Sequence, residues 1–306
     1  MRHSEDYLME NHSKSVLIIS NPRAGKLKTK KYLSIISNVF ISRGYDVTTR
    51  RTRWHRDASS IAHSKAAKYD LVVCCGGDGT LNEVVSGLMT LPSPPPLGYI
   101  PMGTTNDFAA SLGLSRDFIR SARNIMDGKE RNLDVGEMNG RYFTYIASFG
   151  AFTESSYSTP QNVKNILGHM AYVLDGVAHL TNIKPYHVTV ETEERTCSDE
   201  YLFGSVSNST SIAGVIKLDP DQVGLSDGLF EVMLIKLPKT PLQVQNLINA
   251  LISKKFDDSD CIEFFHSSSV KITTEQPISW TLDGEYGDRT TSVEIKNHRN
   301  ALTIIV

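Results

Sequence analysis

The stretch LVVCCGGDGTLNEVVSGL, residues 71–88, leaves an apolar run, passes three glycines around one aspartate, and enters a helical pattern at once. The apolar half reads as a short buried strand bounded by glycine. Leu81, Val84, Val85 and Leu88 share one face of a helix. Thr80 with Glu83 forms the Ser/Thr-x-x-Glu pattern of a capping box, which places a helix start at Thr80. Gly76, Gly77, Asp78 and Gly79 are then expected in a tight turn between a strand's carboxyl end and a helix's amino end. Open α/β sheets bind ligands there, and the free N–H groups favour phosphate. A carboxylate such as Asp78 would repel an anion rather than bind it. It reads instead as the holder of a cation, and Mg²⁺ takes carboxylate and water oxygens while bridging to phosphate.

The flanking segments repeat the arrangement. SVLIIS (15–20), YDVTTRRT (45–52) and LGYIP (97–101) read as strands, KYLSIISNVFISRG (31–44) and DASSIAHSKAAKY (57–69) as helices. This alternation predicts an α/β fold with a doubly wound parallel sheet. SNPRAGK (20–26) follows the first strand: Asn21 and Pro22 set a turn, Gly25 permits close backbone approach, and Lys26 could face a phosphate. An ordinary βα loop would look the same. In PMGTTNDFA (101–109), Thr104 and Asp107 suit either a ligand site or simple helix capping. Three such loops at one sheet edge favour the site. RRTRWHR (50–56), the densest positive cluster, reads equally well as an anion-contacting segment facing phosphates or an anionic membrane, or as a solvated loop. Trp54 is undecided with it.

After Arg131 the texture changes to short strand-like runs, among them LDVGEM, RYFTYIASF, YHVTVET, EYLFGSVSN, LFEVMLIKL, SVKITTE, ISWTLDGE, SVEIK and ALTIIV. Two helical stretches interrupt them, NVKNILGHMAYVLDGVAHL (162–180) and PLQVQNLINALI (241–252). The expected organisation is an α/β unit over 15–131 and a β-rich, sandwich-like unit with helical insertions over 132–306. The 306 residues carry a net charge of -2, which gives no global basic field for nucleic acid. The four cysteines show neither metal nor disulfide spacing and suit a reducing cytoplasm. The N-terminus lacks the apolar core of a signal peptide, and no run approaches the ~20 residues of a membrane span. Any work on a membrane component is expected from the surface.

GGDGTLNEVVSGL, with SNPRAGK before it, PMGTTNDFA after it, and LSDGLFEV and LDGEYG downstream, resembles the bacterial branch of the diacylglycerol kinase catalytic-domain family, to which sphingosine kinases are related. The resemblance runs in motif order from about Val16 to Val306. It implies a cleft between a nucleotide-binding α/β domain and a β-sandwich domain, with ATP and Mg²⁺ as cofactors. By matched position it implies ATP contacts at Asn21, Pro22, Arg23, Ala24 and Gly25, at Thr52, at Gly76, Gly77, Asp78, Gly79, Thr80, Leu81 and Asn82, and at Thr104. Asp78 and Asp107 would order the catalytic Mg²⁺ through water. Gly224 and Leu229, by their carbonyls, and Asp227, by its side chain, match a structural Mg²⁺ site. Glu285 matches the general base. Taken alone, LDGEYG is an Asp-Gly hairpin followed by a surface glutamate, and SDG is a turn.

The implied activity is transfer of the ATP γ-phosphoryl group to a lipid hydroxyl, diacylglycerol foremost, by a cytoplasmic enzyme peripheral to the inner face of the membrane. An NAD kinase or sugar kinase shares Gly-Gly-Asp-Gly-Thr and is the alternative, as is a catalytically silent nucleotide-binding regulator. PMGTTNDFA and LDGEYG fit the lipid group better, and all three acids, Asp78, Asp107 and Glu285, are present. Two features depart from the family. Ala24 stands where many relatives carry Ser, and some relatives continue beyond the segment matching ALTIIV into a helix that returns to the first domain. The apolar positions Ile166, Leu167, Met170, Val173, Leu174, Val177 and Leu180 suit either core or an acyl chain. Which lipid is phosphorylated and whether the protein forms a homodimer stay open.

Overall fold

Four β-branched or apolar runs build the first sheet. β1 (Ser15–Ser20), β2 (Asp46–Arg51), β3 (Leu71–Gly76) and β4 (Leu97–Pro101) pair in parallel in the order β2-β1-β3-β4, with Val16 opposite both Val47 and Leu71, and Val72 opposite Leu97. The computed structural model describes residues 13–24, 28–150, 185–212, 216–219 and 223–306. The helices are α1 (Lys28–Ile41), α2 (Asp57–Lys65), α3 (Asp78–Leu88), α4 (Asp107–Ser111) and α5 (Phe118–Asp127). Alternate residues of each strand serve opposite faces. Leu17, Ile19, Val72 and Cys74 meet the α2 and α3 residues Ala58, Ala62, Leu81, Val84, Val85 and Leu88. Val16, Ile18, Val73 and Cys75 meet Leu33, Ile36 and Phe40 of α1 and Ala122 and Ile125 of α5. β3 is buried along its whole length, which is why its sequence is apolar without alternation.

The remaining strands are β5 (Glu130–Met138), β6 (Arg141–Phe143), β7 (Ile146–Gly150), β8 (Tyr186–Glu191), β9 (Thr196–Ser207), β10 (Ser211–Ile212), β11 (Ile216–Lys217), β12 (Phe230–Lys236), β13 (Ile262–Ser267), β14 (Ser269–Leu282) and β15 (Glu285–Ile305). Among the described residues one further α-helix, α6 (Pro241–Ser253), is capped by the Thr240 hydroxyl, which accepts from the Gln243 N–H. β13 carries no expectation from the sequence. Its run of Phe264, Phe265 and His266 does not alternate cleanly.

Two expected breaks are not chain reversals. SVKITTE and ISWTLDGE form the single strand β14, and SVEIK and ALTIIV the single strand β15. The turn-like residues between them fall at register shifts, from Thr273 to Ile278 in β14 and from His298 to Leu302 opposite β5. Pro277 and Asn300 (φ 53°) thus mark bulges, where the ladder is interrupted without the strand ending. The length of β15 matters for the site. One end hairpins with β14 through Asp283 and Gly284, both at positive φ. The other end lies antiparallel to β5 and pairs Ile304 with Leu97 of β4 in parallel. The chain's last strand therefore returns to the first sheet and joins the two halves by main-chain bonds. Gly25, Lys26 and the helix expected over 162–180 lie outside the described residues.

Candidate active site between the two halves

The glycine turn is tighter than its sequence suggests. Gly76 closes β3, Gly77 is the extended N-cap of α3 (φ -92°, ψ -175°), and Asp78 and Gly79 already lie in the first helical turn. The expected capping box does not form. The Thr80 hydroxyl accepts from Asn21 Nδ2 at 3.0 Å. The Glu83 carboxylate reaches across to α2, accepting from the N–H of Arg56 (2.8 Å) and Ala58 (3.1 Å). α2 has no cap of its own, because Arg56 at its N-cap makes no side-chain cap bond, so its free N–H groups draw Glu83 away.

Close packing selects the glycines. A methyl group on Gly79 would run into the Glu285 carboxylate, and one on Gly103 would lie 2.6 Å from the Gly77 Cα. The first and third loops are pinned by asparagines. Asn21 Oδ1 accepts from the Arg23 N–H, and Asn106 Oδ1 accepts from the Gly103 N–H at 2.8 Å. Asn106 is buried in the left-handed region (φ 55°), and its amide donates back to the Gly103 carbonyl. Asn tolerates that conformation better than most residues, a signal in TTNDF that sequence reasoning passed over. Neither Thr104 nor Asp107 caps α4. The Asp78 carboxylate does so, accepting long bonds from the N–H of Asp107 (3.2 Å) and Phe108 (3.4 Å).

A cavity of about 250 Å³ opens beside this turn. Asn21 and Arg23 of the first loop, Thr52, Arg53, Trp54 and His55 of the second, and Gly79, Thr80 and Glu83 of α3 line it, and Glu285 enters from the second half. Asp78, Asp107 and Thr104 do not line it. Asp78 and Asp107 lie nearby, the Asp107 main-chain N–H bonded to the Asp78 carboxylate: burial pushes the Asp78 carboxyl up to about 6, helped by the charge of Asp107. Burial also raises Asp107, with Arg116 pulling it back. Two partly buried carboxylates that repel one another are suited to sharing a cation. Leu81 is fully buried, so only its main chain could meet a ligand.

The Asn82 side chain is held by partners in the second half. Its amide donates to Asp283 Oδ2 (2.8 Å) and to the Tyr142 carbonyl (3.0 Å), bridging α3 to the second half. Asp283 is buried and also accepts from the Thr144 N–H and hydroxyl and the N–H groups of Tyr145 and Ile146. This nest holds the β14–β15 hairpin, and with it Glu285, against α3. Burial raises the Glu285 carboxyl, and His55 across the cavity pulls it down.

Gly224, Asp227 and Leu229 come together in one turn. The Asp227 N–H donates to the Gly224 carbonyl at 3.5 Å, and Asp227 Oδ1 accepts from the Leu229 N–H at 2.9 Å. Buried Asp134 braces the turn, accepting from the N–H groups of Gly228 and Asn300. Two residues on, Glu231 is fully buried and neither oxygen makes a hydrogen bond of full geometry. Burial raises it to about 8, although the main-chain N–H groups of Ser209 and Glu231 favour its charged form.

Residues 15–138 match the diacylglycerol kinase catalytic domain, and residues 152–306 match the YegS C-terminal NAD kinase beta sandwich-like domain. The chain is 37% identical over 276 residues to a diacylglycerol kinase of Bacillus subtilis, covering 90% of each protein. It is 34% identical over 278 residues to one of Staphylococcus epidermidis, covering 90% of this chain and 87% of that protein. A crystal structure of a putative diacylglycerol kinase from Bacillus anthracis superimposes with a TM-score of 0.78 at 27% identity, over 95% of this chain and 96% of the other. The glycine turn, the neighbouring acids and the hairpin glutamate thus stand in a chain that belongs to the diacylglycerol kinase catalytic-domain family.

Proposed function

We propose that this cleft transfers the γ-phosphoryl group of ATP to a lipid hydroxyl, that of diacylglycerol giving phosphatidic acid. The observation that carries the reading is the position of Glu285: it comes from the second half and shares one cavity with the loops of the first. Phosphoryl transfer needs positioning and charge neutralisation more than covalent help. The main chain of residues 76–80 and the loop at Asn21–Ala24 would seat the phosphates, and Thr52 and Thr104 would flank the nucleotide. The neighbouring carboxylates of Asp78 and Asp107 suit Mg²⁺, which would neutralise phosphate charge when bound. Glu285, its carboxyl kept from full solvation, would take the acceptor's proton as the bond to phosphorus forms.

The second cation site is read the same way. Two carbonyls and one carboxylate at Gly224, Asp227 and Leu229 offer oxygen ligands of the kind Mg²⁺ completes with water. The helical layers on both faces of the β2-β1-β3-β4 sheet support a doubly wound first domain, divided near residue 131 from a β-sandwich-like second. No helix among the described residues is long and apolar enough to cross a membrane. Together with a lipid acceptor this favours a cytoplasmic enzyme working at the membrane surface.

Labelled ATP offered with diacylglycerol in mixed micelles, with NAD and with fructose 6-phosphate tests the reading. Label in phosphatidic acid alone is expected. Label in NAD or the sugar, with none in lipid, would overturn it.

A further inference from the structure

Tyr145 carries a hydroxyl that the fold does not use. Three tyrosines are buried among the described residues, and two of them spend their O–H inside the protein. Tyr99 donates to the Gly76 carbonyl at 3.3 Å, and Tyr201 donates to Glu263 at 2.9 Å. Tyr145 is only 5% exposed, yet its hydroxyl has no hydrogen-bond partner among the described residues. A buried phenol ordinarily finds one, because an unpaired polar group costs stability. Nor is this O–H sealed in the core. The enclosed, unpaired side-chain polar atoms among the described residues belong to Ser205, Asn208, Glu231 and Asn297. The Tyr145 hydroxyl therefore has open space before it.

Everything except that hydroxyl fixes the residue in place. The Tyr145 N–H donates to Asp283 Oδ1 at 3.0 Å, and its carbonyl accepts from the Asn208 N–H at 3.0 Å. The ring belongs to the apolar cluster that also holds Tyr99 and Phe108 of the first half and Ile146 and Phe203 of the second. Its hydroxyl stands over the tip of the β14–β15 hairpin, 3.6 Å from where a Cβ on Gly284 would lie, and so beside Glu285. The charges of Asp283, Asp78 and Asp107 reach it there. With burial they hold the phenol protonated, well above its ordinary range, so it serves as a donor and not as a base. Like Asp78 and Asp107, it stands beside the cavity rather than in its lining.

Resting on the lipid-kinase reading, we propose that the Tyr145 hydroxyl donates a hydrogen bond to a non-bridging oxygen of the phosphoryl group in flight. Chemistry selects that partner. A donor aimed at the acceptor alcohol would tie up the lone pair that must attack phosphorus. The oxygens of the transferred group stay charged through the transition state and are stabilised by a donor already in place. No bond to Tyr145 forms or breaks. The alcohol oxygen bonds to phosphorus, its proton passes to Glu285, and the electron pair of the broken P–O bond leaves on ADP.

Tyr145→Phe keeps the ring and removes only the hydroxyl, so it is compared with the wild type on ATP and a short-chain, water-soluble diacylglycerol. Its kcat should fall by about 10²-fold. Its KM for ATP, its affinity for ADP alone and its thermal midpoint should stay at the wild-type values, because the O–H holds nothing in the fold. Binding gives the sharper readout. With ADP, Mg²⁺ and the acceptor present, aluminium fluoride mimics the phosphoryl group in flight, and Tyr145→Phe should bind it more weakly by about the same factor. Equal affinity for aluminium fluoride in the two proteins would overturn the donor role. A midpoint lowered by several degrees would make the hydroxyl structural and overturn it too. Equal turnover of lipid by both proteins would remove Tyr145 alone from the reaction, whereas lipid phosphorylated by neither would overturn the kinase reading itself.

Discussion

Asp78, in the first turn of α3, and Asp283, in the β14–β15 hairpin turn, come from opposite halves of the molecule, and their surroundings differ sharply. Asp283 accepts five hydrogen bonds of 2.7–3.1 Å from four residues. Asp78 accepts two, at 3.2 and 3.4 Å, and faces the like charge of Asp107. Burial raises both carboxyls. At Asp283 five bonds from the surrounding donors work against that cost, whereas at Asp78 only two long ones do. A carboxylate saturated by donors organises structure. One left short of them, beside a second carboxylate, is free to organise a cation. On the proposed reading the two halves would divide the work accordingly: the first presents the under-satisfied acids, and the second carries Glu285 on a hairpin held by the Asp283 nest.

The largest expected effect breaks this division on the first side. Asp78→Ala should abolish turnover while leaving the thermal midpoint nearly unchanged, because its two bonds are long. A variant that unfolds would make Asp78 structural. Glu285→Gln should lower kcat by roughly 10²–10⁴, the usual range for a lost general base, with ATP binding retained. Near-normal kcat would remove Glu285 from proton transfer. On the other side, Asp283→Ala strands five donors at once. It should cost about 3 kcal/mol or more of stability, since hydrogen bonds to a charged group contribute about 1.5–3 kcal/mol each. An unchanged unfolding midpoint would show that the nest does not hold the hairpin.

The smallest effect concerns pH. Glu285 must be ionised to accept a proton, and its carboxyl is raised above the ordinary 4.5. Activity should therefore rise with pH through a limb lying above that value. His55→Ala removes the nearby group that pulls Glu285 down, so the limb should move to higher pH, as read from kcat/KM profiles. A limb that stays in place would take His55 out of the electrostatics of the site.

Much of this site is legible in the sequence, and the illegible parts share one physical cause. Period and punctuation gave the strands and helices around residues 71–88, because apolar alternation and glycine act locally. The three loops converge because the sheet is parallel, which the strand-helix alternation implies. The local capping pattern of Thr80 and Glu83 puts the start of α3 two residues late, because both are claimed by distant partners, Asn21 and the main chain of α2. Asp283 and Asn82 form one bond across 201 positions, which no local rule reads. The bulges in β14 and β15 carry the same residues as turns, and only the partner strand decides between them.

Cation binding at Asp78 is tested most directly by titrating Mn²⁺ into the protein with ATP and following the free ion by electron paramagnetic resonance. The wild type should bind Mn²⁺ in an ATP-dependent manner. Asp78→Asn should lose that ATP-dependent binding while its thermal midpoint stays near the wild-type value. ATP-dependent Mn²⁺ binding by Asp78→Asn equal to that of the wild type would contradict the assignment.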